Sequence, residues 1–152
     1  ITNDKILVIH SAKPPKDVDP TDWTIKYYNN LKATIKFLYG SGFDIILDRS
    51  WIGETVYGPI YRNVHIPLAD LELEEYIRQE VIILVDDASS IASRSDGLSM
   101  SDDLAHLESE RKAFTEAYFG LKVKHKELID WGYEPYSKSK LEGFARSMIN
   151  AE

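Results

Sequence analysis

Three short runs of aliphatic, β-branched residues, separated by stretches of helical periodicity, constrain this chain more than any other feature. Lys5-Ile6-Leu7-Val8-Ile9-His10-Ser11 and Phe43-Asp44-Ile45-Ile46-Leu47-Asp48 read as strands buried on both faces, and Val81-Ile82-Ile83-Leu84-Val85 as the strongest strand. Glu127 to Trp131 reads as a short final strand. From Thr24 to Tyr39, apolar residues Ile25, Tyr28, Leu31, Ile35 and Leu38 recur at helical spacing, and Gly40-Ser41-Gly42 stops the pattern. Arg49 to Arg62 is expected to form a turn and a short helix, and Leu68 to Gln79 a further helical segment. A long helix is expected from Asp102 to Lys126, its buried face marked by Leu104, Leu107, Phe114, Tyr118 and Leu121, with Ser99-x-x-Asp102 as a capping box. Ser137 to Ile149 is the last expected helix.

Apolar strands alternating with amphipathic helices imply an α/β layer fold with a parallel sheet. Such sheets receive ligands at the carboxyl ends of their strands. Those ends carry Ser11-Ala12-Lys13, Asp48-Arg49-Ser50 and Asp86-Asp87. A cation, an acid–cation pair and an acidic pair on one edge suit a phosphate substrate beside a metal-bound nucleotide.

Composition narrows the partners. With 152 residues the chain is expected to form one domain over 1–152. It has no cysteine, which excludes disulfides and thiolate metal sites. A net charge of −7 disfavours a dedicated duplex nucleic-acid binder, which needs a basic face. No apolar run is long enough to cross a membrane and no secretory signal is visible, so a cytoplasmic setting is expected. The four histidines, His10, His65, His106 and His125, lack ligand spacing and read as scattered. Asp17, Asp19 and Asp22 lack the glycine and glutamate of a calcium loop and read as solvated. Ser137-x-x-Lys140 stands without the partner motifs of a β-lactamase.

The segment Asp48-Arg49-Ser50-Trp51-Ile52-Gly53-Glu54-Thr55-Val56-Tyr57-Gly58-Pro59-Ile60-Tyr61-Arg62 carries the most chemistry. A carboxylate at a strand end can hold a magnesium-bound water or accept a proton, and the adjacent guanidinium can fork onto a phosphate. Trp51, Tyr57 and Tyr61 offer flat surfaces to a nucleobase. An ordinary strand end with a salt bridge and surface aromatics fits these residues equally well.

This run resembles the Asp-Arg motif of thymidylate kinases, above all of phage thymidylate kinase-like proteins. These carry Asp-Arg-x-x-x-Gly-Glu-x-Val-Tyr followed by an arginine, matched here by Asp48, Arg49, Gly53, Glu54, Val56, Tyr57 and Arg62. The resemblance implies a three-layer P-loop kinase-like fold and transfer of a phosphoryl group from ATP to a deoxynucleoside monophosphate such as dTMP. It implies that Asp48 acts at the magnesium ion and the acceptor oxygen, and that Arg49, with Lys13 or Arg62, binds the acceptor phosphate. Trp51, Glu54 and Tyr57 would shape the substrate pocket. Ser11-Ala12-Lys13-Pro14-Pro15 is similar to the Arg-Glu-Pro segment of that family, with Lys13 in place of the arginine and no glutamate. The Ser-rich stretch Ala88 to Ser101 stands where the family has its mobile lid, and Arg94 is its one cation.

The family's phosphate loop, Gly-x-x-x-x-Gly-Lys-Ser/Thr, does not occur in these 152 residues. The chain begins at Ile1, not Met. The expectation is that the family's first, central strand and its loop are missing from this chain and come from upstream residues in cis or from a second polypeptide in trans. On its own the chain is expected to transfer no phosphate. The alternatives are a non-catalytic or split protein that binds nucleotides or serves as a partner, and a kinase for a nucleoside or a polynucleotide end. A homodimer is a further expected partner arrangement.

Overall fold

The computed structural model describes residues 5–67, 73, 77–93, 101–132 and 134–150. Among the described residues strands and helices follow one another and both strand pairings are parallel, as in an α/β chain. The chain divides into two compact units, Ile1–Arg78 and Gln79–Glu152, each built around one two-stranded parallel pair.

In the first unit, β1 (Ile6–His10) pairs with β2 (Asp44–Asp48) in the register Ile6↔Asp44 to His10↔Asp48. The crossover is α1 (Pro20–Gly40). Asp19 caps it, its carboxylate accepting from the Asp22 amide at 2.8 Å, and Pro20 supplies the fixed φ suited to a first helical residue. The helix starts four residues earlier than the apolar periodicity suggests, because this polar cap lies ahead of the apolar face. Thr24, Tyr28, Leu31 and Ile35 form its buried stripe. Each apolar member contributes roughly 1.5–3 kcal/mol of burial before ordering costs. Gly42, at φ +80°, supplies the left-handed turn that returns the chain to β2.

The strands β1 and β2 are not buried on both faces. Leu7, Ile9, Ile45 and Leu47 are half-buried, whereas Ile6, Val8 and Ile46 are exposed on the opposite face. A β-branched run specifies a strand, but not whether a layer covers each side. After β2 come α2 (Trp51–Tyr57) and a π-helical turn, Gly58–Arg62, that ends at Asn63 in the left-handed region. Trp51, Ile52, Val56 and Val64 complete this unit's core with the α1 stripe and Ile77.

In the second unit, β3 (Glu80–Val85) pairs with β4 (His125–Asp130), Val85 opposite Asp130. Between them lie α3 (Ala88–Ser93) and α4 (Leu104–Gly120), and α5 (Glu134–Asn150) follows β4. Ile83, Val85, Leu107, Leu121 and Ile129 are its buried apolar residues. Lys140 ties α5 to β4 through the Glu127 carboxylate at 2.8 Å and the Leu128 carbonyl at 3.3 Å.

Three sequence expectations change here. The stretch expected as a mobile loop from Ala88 opens with helix α3, which Asp87 caps. Helix α4 stops at Gly120 instead of Lys126, and its N-cap is Asp103, which accepts from the Ala105 and His106 amides. Within the expected helix Leu68 to Gln79, residues 77–79 are not helical, and most of the remainder lies outside the described residues. Arg94 and Ser99 also lie outside them. No helix among the described residues is long and apolar enough to cross a membrane.

Candidate functional site at the carboxyl edge of the first strand pair

Parallel pairing in register brings the last residues of β1 and β2 side by side. His10 Nδ1 lies 2.7 Å from Asp48 Oδ2, with side chains 57% and 60% exposed. One residue further, the Ser11 amide donates to the Asp48 carbonyl at 3.0 Å, so the ladder continues past the last strand residue. The next amide, that of Ala12, donates to the Tyr27 hydroxyl at 3.1 Å and anchors the start of the proline-rich loop to α1. Lys13 leaves from this anchored point and is exposed.

Arg49 follows Asp48 with φ +59°, in the left-handed region. A non-glycine residue there carries a cost of order 1–2 kcal/mol. The kink turns the chain directly into α2, where the Ser50 hydroxyl accepts from the Ile52 amide at 3.3 Å. Arg49 itself is exposed at the same edge as His10, Asp48 and Lys13.

The rest of the motif faces inward. Trp51 is 5% exposed and is a core residue of the first unit, not an open platform. Glu54 is 7% exposed; its Oε1 takes a hydrogen bond from Arg62 Nη2 at 2.6 Å and one from the Thr24 hydroxyl at 3.4 Å. Arg62 is 18% exposed, and its Nε is buried without a hydrogen bond. Burial pushes the nearby Tyr28 phenol well above its ordinary range, and the Glu54 charge adds to that shift. Gly58 is required by space, since a Cβ there would stand 2.8 Å from the Val64 carbonyl oxygen and 3.3 Å from Glu54 Oε1. Tyr57 and Tyr61 are half-buried neighbours, ring centroids 6.2 Å apart. Of the expected site residues, Asp48, Arg49 and Lys13 therefore share the strand edge, Glu54 and Arg62 satisfy one another beneath it, and Arg94 lies outside the described residues.

One oxygen of Asp48 is engaged by His10, and among the described residues no three His, Asp or Glu side chains gather to hold a metal ion. The described residues thus supply no resident magnesium cage around Asp48.

In the second unit, Asp86 and Asp87 follow β3 as expected. Asp86 is buried and accepts from the Asp87 amide at 2.8 Å. Asp87 accepts from the Ser90 amide at 2.9 Å and from the Ser89 and Ser90 hydroxyls, and these bonds hold its carboxyl far below the usual carboxylate range. Asp130, which ends β4, receives Arg111 at 3.3 Å and the Gly132 amide at 3.1 Å. A Cβ at Gly132 would meet Asp86 Oδ1 at 3.2 Å and Asp130 Oδ1 at 3.3 Å, so a side chain there would crowd these two carboxylates.

Sequence reasoning passed over His10 and Asp130. Both close an apolar run, and position at the end of a parallel strand was the signal available for each.

No protein-family model, no curated protein and no solved structure matches the chain.

Proposed function

We propose that the chain is the acceptor-side part of a thymidylate kinase-like phosphotransferase, acting from ATP onto a deoxynucleoside monophosphate such as dTMP. The run from Asp48 to Arg62 carries this reading. Its Asp-Arg pair closes a parallel strand, where α/β folds receive ligands, and its arginine is held in the kind of strained backbone that clusters at functional sites. On this reading Arg49 and Lys13 bind the acceptor phosphate, Asp48 acts at the acceptor end and Tyr57 flanks the base. Trp51, Glu54 and Arg62 support the edge from beneath. Arg94 reaches the phosphates from the lid. Magnesium arrives as part of the MgATP substrate.

The three-layer P-loop architecture belongs to the same proposal. Among the described residues each parallel pair has only two strands, and isolated two-stranded pairs are marginal in water, which supports a reading in which a further strand carrying the phosphate loop adds to them. A cytoplasmic, phage-type nucleotide-biosynthesis role and a homodimer fit this reading.

The deciding measurement is phosphoryl transfer from ATP to a panel of deoxynucleoside monophosphates, with and without a Gly-x-x-x-x-Gly-Lys-Ser/Thr segment supplied in cis or in trans. Transfer is expected only with that segment, and Asp48→Asn is expected to reduce it about 10²-fold or more. Robust transfer by the 152 residues alone, or near-normal turnover of the Asp48→Asn variant, overturns the reading.

A further inference from the structure

We propose that the groove along the N-terminal half of α1 is a docking site for an extended, proline-containing peptide with an arginine at one end. This surface has no part in the kinase reading.

Two ridges of side chains, each stepping four residues along the helix, wall the groove. Asp19, Trp23 and Tyr27 form one and Asp22, Lys26 and Asn30 the other, around a cavity of about 350 Å³. The Trp23 and Tyr27 rings are stacked, with centroids 4.7 Å apart and planes 8° from parallel. Tyr27 also meets the ring of the core residue Tyr28 edge-on at 5.1 Å, and its hydroxyl accepts from the Ala12 amide at 3.1 Å. Asp19 is held by the Asp22 amide, from which it accepts at 2.8 Å. The aromatic ridge is thus fixed before a partner arrives, which lowers the ordering cost of binding.

Length and chemistry select the occupant. From Asp19 to Asn30 the groove runs about 16 Å at the rise of an α-helix. That matches about five residues of polyproline II, a conformation without internal hydrogen bonds that aromatic-lined grooves recognise. Acids mark one end. Asp22 is paired with Lys26 at 2.6 Å, but the two side chains are 63% and 71% exposed, and such a surface pair contributes little. An incoming guanidinium can take the Asp22 carboxylate with both arms of its fork and lie on Trp23, while Lys26 turns to solvent. At the other end the Asn30 amide offers a donor and an acceptor to the peptide backbone. The net charge of −7 favours a basic partner, and the two carboxylates repel the phosphates of a nucleotide or nucleic acid.

The test is an NMR titration of the 152-residue chain with six-residue peptides that place arginine at either end of a Pro-x-x-Pro run. The controls are the same peptides with glutamate for the arginine, or with alanine for both prolines. The arginine peptides are expected to shift the Trp23 indole N–H and the amides of Asp22, Lys26 and Asn30, and to bind about 10-fold or more tightly than either control. Trp23→Leu is expected to weaken binding about 10-fold or more, as for a central aromatic anchor. The double variant Asp19→Asn, Asp22→Asn is expected to remove the preference for arginine over glutamate, since asparagine keeps the cap and loses the charge. Circular dichroism checks that each variant stays helical; should Trp23→Leu lose helix, the parent titration and the double variant decide. Phe37→Ser, on the same helix and 73% exposed, is expected to change nothing. The inference is overturned if no arginine peptide of the set moves these resonances at millimolar concentration, or if the controls bind as tightly. It is overturned equally if Phe37→Ser weakens binding as much as Trp23→Leu, which marks unspecific adhesion. Displacement of the peptide by thymidine or a single-stranded oligonucleotide also overturns it, because the groove would then be a nucleobase site.

Discussion

Glu54 and Arg62 meet at 2.6 Å inside the first unit, eight positions apart in sequence. Eight residues is not a distance at which a regular α-helix presents two side chains in immediate contact. The π-helical turn Gly58–Arg62 re-aims the chain and brings the guanidinium back onto the carboxylate. The Thr24 hydroxyl then fastens the pair to α1. The motif that resembles a kinase signature therefore also fixes how α2 packs on α1.

Removing one member of this pair strands the other in the core. Arg62→Ala is expected to lower the unfolding free energy by about 3–5 kcal/mol, and Glu54→Ala by a comparable amount. The double variant Glu54→Met, Arg62→Leu is expected to be more stable than either single variant. Chemical denaturation of the four proteins checks this, and additive losses would show that the two side chains do not depend on one another.

Gly58→Ala places a Cβ 2.8 Å from a backbone oxygen, that of Val64, and backbone cannot swing aside as a side-chain tip can. The expected loss is about 1–3 kcal/mol, the range for overpacking. A thermal melt unchanged from the parent protein would show that the turn relaxes freely. Gly53→Ala is the control: its Cβ would meet only the Tyr57 ring at ordinary contact distance, 3.5 Å.

What the sequence made legible, and what it did not, follows from the range of each interaction. The strands were readable because propensity is local, and α1 was readable because Tyr28, Leu31 and Ile35 repeat at helical spacing. The end of α4 was not. Leu121 continues the apolar rhythm and is buried, but it lies past the helix, and the carbonyls of Tyr118 and Leu121 are taken by Lys126 Nζ at 2.8 and 2.7 Å. That cap comes from the following strand and leaves no mark in the helical pattern. At the candidate site, Asp48 and Arg49 were legible as a motif, whereas His10 gains its meaning from a register that joins residues 38 positions apart. Trp51 and Glu54 were legible as motif members, but their burial, with Glu54 held by Thr24 of α1, is tertiary and no spacing rule encodes it.

Arg49 gives a test that separates strain from chemistry. At φ +59° glycine relieves a cost of order 1–2 kcal/mol but brings back roughly 0.5–1 kcal/mol of chain entropy. Arg49→Gly is therefore expected to leave the melting temperature nearly unchanged or slightly raised. Arg49→Val, β-branched and poorly suited to this region, is expected to lower it by the equivalent of 1 kcal/mol or more. Phosphoryl transfer by the protein supplied with the phosphate loop is expected to fall in both. If both variants melt like the parent protein, the turn is not held in the left-handed region in solution.

Asp87 sets how the start of the expected lid responds to acid. Its carboxyl accepts from the Ser89 and Ser90 hydroxyls and from the Ser90 amide, and so titrates well below the usual carboxylate range. A group whose folded value is depressed contributes stability that is fully present above its unfolded value, near 4 for an aspartate. That contribution is lost as the pH falls through the lower folded value. Between neutrality and pH 4, α3 is therefore expected to keep its cap, and the Ser90 amide resonance to show no midpoint in the ordinary aspartate range. Asp87→Ala is expected to abolish the protection at neutral pH and speed hydrogen exchange through Ile91, whose amide bonds the Asp87 carbonyl at 3.1 Å. Asp87→Asn keeps one accepting oxygen and is expected to fall between the two. A Ser90 midpoint at an ordinary aspartate value, or exchange in Asp87→Ala no faster than in the parent protein, would show that these serines do not engage the carboxylate and that α3 stands without it.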